Sequence, residues 1–123
     1  MKKADLEKRM YKRVAIEVSL RYLLPMTTFD KVYTASTFDI GKGGIGLTCD
    51  EALDDGTAMV IEIDPKQRDL DQPAFRVQAQ CIWCEPKDGK FQIGVMFYYF
   101  DDDLRTQVSC FVDAIDSMAA FSA

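Results

Sequence analysis

The chain has 123 residues, of which 48% are hydrophobic and 28% charged, a composition typical of one globular domain and unlike that of disordered or repetitive chains. It contains no histidine, so the commonest general base and zinc ligand are missing, and an enzyme is the least favoured class of protein. The sequence has no apolar run near the roughly 18 residues of a membrane helix and no leader pattern at its start. We therefore expect a cytoplasmic protein without membrane insertion.

The net charge of −5 is unevenly distributed. Residues 1 to 22 carry seven basic and three acidic side chains, whereas the remaining residues carry eight basic and 17 acidic ones. Binding to a nucleic-acid backbone strengthens with the number of phosphates that a protein neutralises, which disfavours a domain that is mostly acidic. The distribution favours a small anion as ligand and no nucleic-acid partner.

Alternation of apolar and polar residues predicts β-strands along most of the chain. In the first strand, Val14, Ile16, Val18, Leu20 and Tyr22 share one face. The six predicted strands cover residues 14 to 22, 32 to 40, 45 to 49, 57 to 64, 75 to 84 and 91 to 99. Because no helix interrupts them, an antiparallel sheet closed into a small barrel is expected.

Turn residues and a change of period mark the remaining elements. Residues 41 to 44 (Gly-Lys-Gly-Gly) end the second strand, residues 65 to 73 predict a loop, and Asp88-Gly89 predicts a hairpin turn between the last two strands. Beyond residue 100, apolar residues recur at steps of three and four, which predicts a helix. The predicted apolar face of this helix consists of Leu104, Val108, Phe111, Ile115 and Met118.

These elements predict an all-β domain with one C-terminal α-helix. Residues 1 to 13 are expected to form a flexible basic arm, residues 14 to 100 a six-stranded antiparallel β-barrel, and residues 101 to 121 a helix packed on the barrel. The three acidic residues 101 to 103 are interpreted as helix capping and dipole stabilisation rather than as a cation site.

Two short motifs suggest chemistry that their context disfavours. Residues 41 to 46 match the dinucleotide fingerprint G-x-G-x-x-G, but the segment after them alternates like a strand instead of opening a helix. Cys81 and Cys84 form a C-x-x-C, but residues three apart on a strand are expected to point to opposite faces. We therefore expect no metal, no cofactor and no disulfide, with Cys81 in the core.

Two other segments, weak when taken separately, form a recognisable pair. Arg9 and Arg13, preceded by Lys8, make an R-x-x-x-R motif, and Asp39 and Gly44 are the ends of a D-x-x-x-x-G stretch. Together with the strand order and the final helix, they resemble the PilZ domain, a bacterial receptor module for the second messenger cyclic di-GMP. The family fold is a six-stranded split barrel, in agreement with the barrel predicted from the strand pattern.

The resemblance implies a ligand site made of residues from both motifs. Arginine can donate to guanine O6 and N7 together, or to phosphate, and an aspartate can accept from guanine N1–H and N2–H. We expect these groups to surround a purine-sized gap. The expected binding residues are Lys8, Arg9, Arg13, Asp39, Gly41, Gly43, Gly44 and Trp83.

One position departs from the family pattern. Gly41 stands where the family has a serine, so restoring a serine is expected to tighten ligand binding by supplying a hydrogen bond. Trp83 is in phase with the core residue Val77, which makes core packing as plausible for it as contact with a base.

The resemblance thus implies a noncatalytic cyclic di-GMP receptor that changes conformation on binding. Its implied partner is an unidentified protein in motility, biofilm or polysaccharide control, and its expected state is a monomer or weak homodimer. Two alternatives remain. One is a degenerate PilZ-like domain that binds no nucleotide and acts as an interaction adaptor, as Gly41 would favour. The other is a small barrel that binds single-stranded nucleic acid.

Overall fold

The computed structural model of the chain describes residues 12 to 25, 31 to 99 and 101 to 122. Most of the predicted arm therefore lies outside the described residues. The elements are β1 (Arg13–Val14), β2 (Ser19–Leu24), β3 (Lys31–Gly41), β4 (Gly44–Cys49), β5 (Ala58–Ile63), a 3-10 helix (Pro65–Arg68), β6 (Phe75–Lys87), β7 (Lys90–Tyr98) and α1 (Asp102–Ser122).

Six strands close into an antiparallel barrel in the order β3-β2-β5-β6-β7-β4, and β4 pairs again with β3. The predicted fold class is confirmed. The Asp88-Gly89 turn joins β6 and β7, and both of its residues have positive φ angles, 52° and 80°, as a two-residue hairpin turn requires. The predicted loop 65 to 73 is wrong in part, because Pro65–Arg68 forms a 3-10 helix. Asp64 caps it, and its side chain accepts from Lys66 N.

The barrel interior is apolar, and α1 packs against it. Except for Trp83, the predicted inward side chains of β6 and β7 point into the barrel, and Val108, Phe111 and Ile115 of α1 are buried in the same cluster. The helix starts at a cap in which Leu104 N donates to the Asp101 carboxylate at 2.7 Å, in line with the capping interpretation. No helix within the described ranges combines the length and apolar character that a membrane crossing requires.

The predicted first strand, residues 14 to 22, is wrong in its continuity. The structure has two strands there, because residues 15 to 18 are not paired as a strand with β3, although Val18 O still accepts from Thr37 N at 2.9 Å. The buried Thr37 hydroxyl occupies the break, donating to Ile16 O at 2.6 Å and accepting from Val18 N at 2.9 Å. The threonine side chain thus replaces ladder hydrogen bonds and satisfies backbone groups that would otherwise be buried without partners.

Candidate functional site

Strand β1 brings the two sequence motifs together. Arg13 lies directly opposite Gly41, and Val14 lies opposite Ile40, in an antiparallel pairing with the end of β3. The first motif therefore ends beside the start of the glycine segment. The sequence prediction placed Arg13 in a flexible arm, and this part of the prediction is wrong, because Arg13 belongs to the sheet.

The Arg13 guanidinium contacts both ends of the second motif. Its Nη1 donates to Gly44 O at 2.6 Å and lies 3.4 Å from Asp39 Oδ1. The two charged side chains are only 18% and 19% exposed, so solvent screens their attraction less than it screens a surface pair. The expected purine-sized gap is absent between these two groups, since a base cannot fit edge-on in 3.4 Å.

Asp39 is held in place by an irregularity in β3. The pairing with β4 shifts between Thr37 and Asp39, which sets Asp39 opposite Gly46. The Asp39 carboxylate then accepts a hydrogen bond from Gly46 N at 2.9 Å through the same Oδ1 that faces Arg13. Bulges of this kind redirect side chains beside functional sites, and here the bulge leaves the acceptor fixed from one side by the backbone.

The glycine segment, residues 41 to 44, packs against β7 and the residue that follows it. Gly43 O accepts from Phe97 N at 3.0 Å, and Tyr99 Oη donates to Lys42 O. A Cβ atom on Gly44 would overlap the carbonyl oxygen of Val95 and lie 3.1 Å from its carbonyl carbon. Glycine is therefore needed at position 44 so that the two backbones can approach each other.

Gly41 is also in close contact, in this case with the first motif. A Cβ atom there would lie 2.9 Å from Arg13 Cδ and 2.9 Å from Lys12 O. We expect Gly41→Ser to push Arg13 and Lys12 outward and to lower the free energy of unfolding by about 1 to 3 kcal/mol, the usual cost of overpacking. Urea denaturation of the ligand-free protein measures this change.

The matched control is Gly41→Ala, which adds the Cβ atom without the hydroxyl group. Equal losses of stability in both variants would assign the effect to the close approach, whereas a wild-type stability in Gly41→Ser would contradict it. Tighter ligand binding by the serine variant stays a prediction, and a titration that compares the two variants isolates the contribution of the hydroxyl.

Trp83 lies on the outer face of the barrel, so its predicted phase with the core is wrong. The β6–β7 register shifts between Cys81 and Trp83, and Trp83 pairs with Gly94. Gly94 sits between two core residues and therefore faces outward, and the indole ring occupies the place of its missing side chain. Phe38, the bulged residue next to Asp39, packs against Trp83 in a tilted arrangement with the ring centroids 6.3 Å apart.

Sequence patterns did not single out Phe38. It is half-buried, and its ring covers Gly46, the residue that donates to Asp39. Its position in the bulge depends on the pairing with β4, which no local pattern reports. Trp83 is only 9% exposed, so it presents little ring surface to solvent. Through Phe38, the aromatic pair packs beside Gly46, which holds Asp39 in place.

The same register shift corrects the interpretation of the two nearby cysteines. Cys81 pairs with Val95 and Cys84 with Ile93, and both partners face the core, so the two thiols share the inner face. Burial raises the pKa of the Cys81 thiol to about 12, which keeps it protonated and unreactive at neutral pH. Among the described residues, no group of three or more His, Cys, Asp or Glu side chains could hold a metal ion.

Lys8 and Arg9 fall outside the described residues. Two other lysines, which the sequence prediction did not include, flank the Arg13 contact. Lys12 Nζ pairs with Asp116 of α1 at 3.2 Å, and Lys42 Nζ pairs with Asp113 of α1 at 3.0 Å.

Comparison with known protein families identifies the family to which this chain belongs. A family model described as the PilZ domain matches residues 7–114, and the match spans both motifs. The chain belongs to the PilZ domain family. No curated protein sequence matches the chain at a significant level, so the assignment rests on the family match and on the fold.

Solved PilZ structures share the fold at low sequence identity. The PilZ domain of YcgR from Escherichia coli with c-di-GMP has a TM-score of 0.73 at 16% identity, covering 94% of this chain and 97% of that one. The MrkH–c-di-GMP complex of K. pneumonia has a TM-score of 0.75 at 11% identity, covering 95% and 56%.

A third PilZ structure, from CeSA of a cellulose-synthesizing bacterium, has a TM-score of 0.64 at 15% identity and covers 85% of this chain and 98% of its own. At these identities the likeness concerns the PilZ fold alone.

Proposed function

We propose that this PilZ domain is a noncatalytic receptor for cyclic di-GMP, with Arg13 and Asp39 as its principal binding residues. The observation that carries the proposal is the contact of these two side chains, 3.4 Å apart, beside the backbone of Gly44. Two similar structures, those of YcgR and MrkH, are complexes with this ligand.

The two side chains offer complementary chemistry to guanine. A planar guanidinium can donate to O6 and N7 at once, or form charge-assisted bonds to a phosphate. The Asp39 carboxylate has a second oxygen beside the one that Gly46 N engages, and a carboxylate can accept from N1–H and N2–H together. Adenine has no such pair of donors, so this arrangement favours guanine.

Entry of a base requires Arg13 to turn away from Asp39. A guanine placed between the two groups is wider than their present separation of 3.4 Å, and the bond from Arg13 to Gly44 O must also be exchanged for a bond to the ligand. Because Arg13 is half of the two-residue strand β1, its movement alters the pairing of that strand with β3. This is the proposed conformational change.

The changed surface around β1 is proposed to signal to a protein partner in motility, biofilm or polysaccharide control. We place this function in the cytoplasm, where the ligand acts as a second messenger, and in a monomer or weak homodimer. The buried Cys81 thiol and the lack of histidine support a receptor rather than an enzyme.

Isothermal titration of the purified chain with cyclic di-GMP tests the proposal. We expect saturable binding, with GTP binding at least tenfold more weakly because it offers one guanine instead of two to the same site. Absence of saturable binding at millimolar ligand would contradict the proposal.

That outcome would support the adaptor alternative, in which the domain binds no nucleotide. Two observations favour this alternative: Gly41 lacks the family hydroxyl, and the Arg13–Asp39 pair satisfies both binding groups within the protein. The titration separates the two functions directly.

A further inference from the structure

Two lysines beside the site are bound by one face of α1. Lys12, which precedes Arg13, donates to both oxygens of Asp116 at 3.2 and 3.3 Å. Lys42, in the glycine segment, lies 3.0 Å from Asp113. Residues three apart on a helix share a face, so a single face of α1 holds one lysine from each half of the site.

These ion pairs are exposed and therefore weak. The Lys12 and Asp116 side chains are 74% and 40% exposed, and those of Lys42 and Asp113 are 36% and 66% exposed. Exposed pairs of this kind contribute little to stability because solvent and salt screen them. A stronger anion that reaches the lysines can therefore replace the carboxylates at small cost.

The backbone of the glycine segment need not move for this exchange. Lys42 O accepts from Tyr99 Oη, and the Tyr99 ring lies under the Arg105 guanidinium at 5.0 Å. These contacts fix the main chain at residue 42 while its ammonium group remains on a long, flexible side chain.

We propose that Lys12 and Lys42 are two further anion-binding groups of the site, and that Asp113 and Asp116 compete with the ligand phosphates for them. The inference rests on the proposed function and adds its regulation: cyclic di-GMP, with two phosphates, takes both lysines and loosens α1 around Asp113 and Asp116, while the apolar face of the helix stays in the core. Ligand binding is thereby coupled to the ion pairs that hold this part of α1.

The negative charges of Asp113 and Asp116 favour a role in which these residues oppose ligand binding over one in which they assist it. Asp113 and Asp116 are two negative charges beside a site for a dianion, so they oppose binding through space as well as by occupying the lysines. If they served instead to position the lysines for the ligand, their neutralisation would weaken binding. The sign of the effect therefore distinguishes the two roles.

The test is a titration of cyclic di-GMP into the Asp113→Asn, Asp116→Asn double variant. We expect its affinity to exceed that of the wild type by about threefold to 20-fold, from two exposed ion pairs. The matched control is Asp102→Asn, Asp103→Asn, which removes the same charge from exposed positions on the first turn of the same helix. We expect a change of less than twofold in the control.

The outcomes separate the two proposals. Binding by the wild type with an equal or smaller affinity in the Asp113, Asp116 variant overturns this inference and leaves the proposed function intact. Binding in none of the variants overturns the proposed function, and this inference with it. A gain of the same size in the control assigns the effect to net charge and overturns the competition.

Hydrogen exchange of the α1 amides gives a second readout. In the wild type, saturating cyclic di-GMP should raise exchange in the part of α1 that carries Asp113 and Asp116, by severalfold. In the Asp113, Asp116 variant, exchange should already be raised before ligand is added. Unchanged exchange in the wild type on saturation would show that the helix keeps both ion pairs, and would overturn the proposed local loosening.

Discussion

Replacing Arg13 with alanine is expected to lower the affinity for cyclic di-GMP by about 5-fold to 150-fold, equivalent to about 1 to 3 kcal/mol for a bidentate contact. The guanidinium is the one described side chain that reaches both Asp39 and the Gly44 carbonyl. Its removal leaves a ligand edge unsatisfied. Calorimetric titration of the wild type and the variant measures the loss.

The control is Arg21→Ala. Arg21 is also paired with a carboxylate, that of Glu62, but it lies on β2, outside the contacts of the site. We expect its affinity to match the wild type within twofold. Arg13→Lys completes the series, because lysine can bind phosphate but cannot donate to guanine O6 and N7 together. An Arg13→Ala variant that binds like the wild type would exclude this arginine from ligand contact.

Replacing Gly44 with alanine is expected to cause the largest loss of stability, about 3 kcal/mol or more, at the upper end for overpacking. The added Cβ atom would overlap Val95 O and lie 3.2 Å from Met96 Cα, so backbone atoms and not a flexible side chain would have to move. Separation of β4 from β7 at this point would also displace the carbonyl that Arg13 binds. Urea denaturation and ligand titration measure both effects.

Gly89→Ala is the control for this substitution. A Cβ atom at position 89 would meet no heavy atom within 4 Å, but the φ angle of +80° is one that alanine rarely adopts. We expect it to cost about 1 to 2 kcal/mol from backbone strain alone, with ligand affinity unchanged. If Gly44→Ala cost no more than Gly89→Ala, the barrel would be able to open at β7, contrary to the packing described.

The sequence predicts the strands well because each is half-buried and alternation reports burial directly. It fails where register depends on distant partners. The break at residues 15 to 18 requires the Thr37 hydroxyl from another strand, and the phase of Trp83 changes because Gly94 on β7 leaves space for the ring. Neither partner is visible from the local pattern.

The candidate site was predictable to the extent that it lies in short motifs. The resemblance to the PilZ domain implies that Arg13 and Asp39 share a site, and their side chains do approach to 3.4 Å, although the expected gap between them is absent. The lysine partners on α1 and the position of Phe38 were not predictable, because both depend on how the helix and the bulged strand are placed in three dimensions. The motifs thus predict the pair Arg13 and Asp39, whereas the residues around this pair are set by the three-dimensional fold.

Strand β1 has only two residues, and its ladder partners are two residues at the end of β3. Segments with so few contacts open far more often than the structure as a whole. Arg13 therefore lies on one of the least cooperative parts of the domain, and a ligand that engages it must fix this segment in the bound arrangement. Warming will consequently erode ligand affinity well before the barrel itself begins to melt.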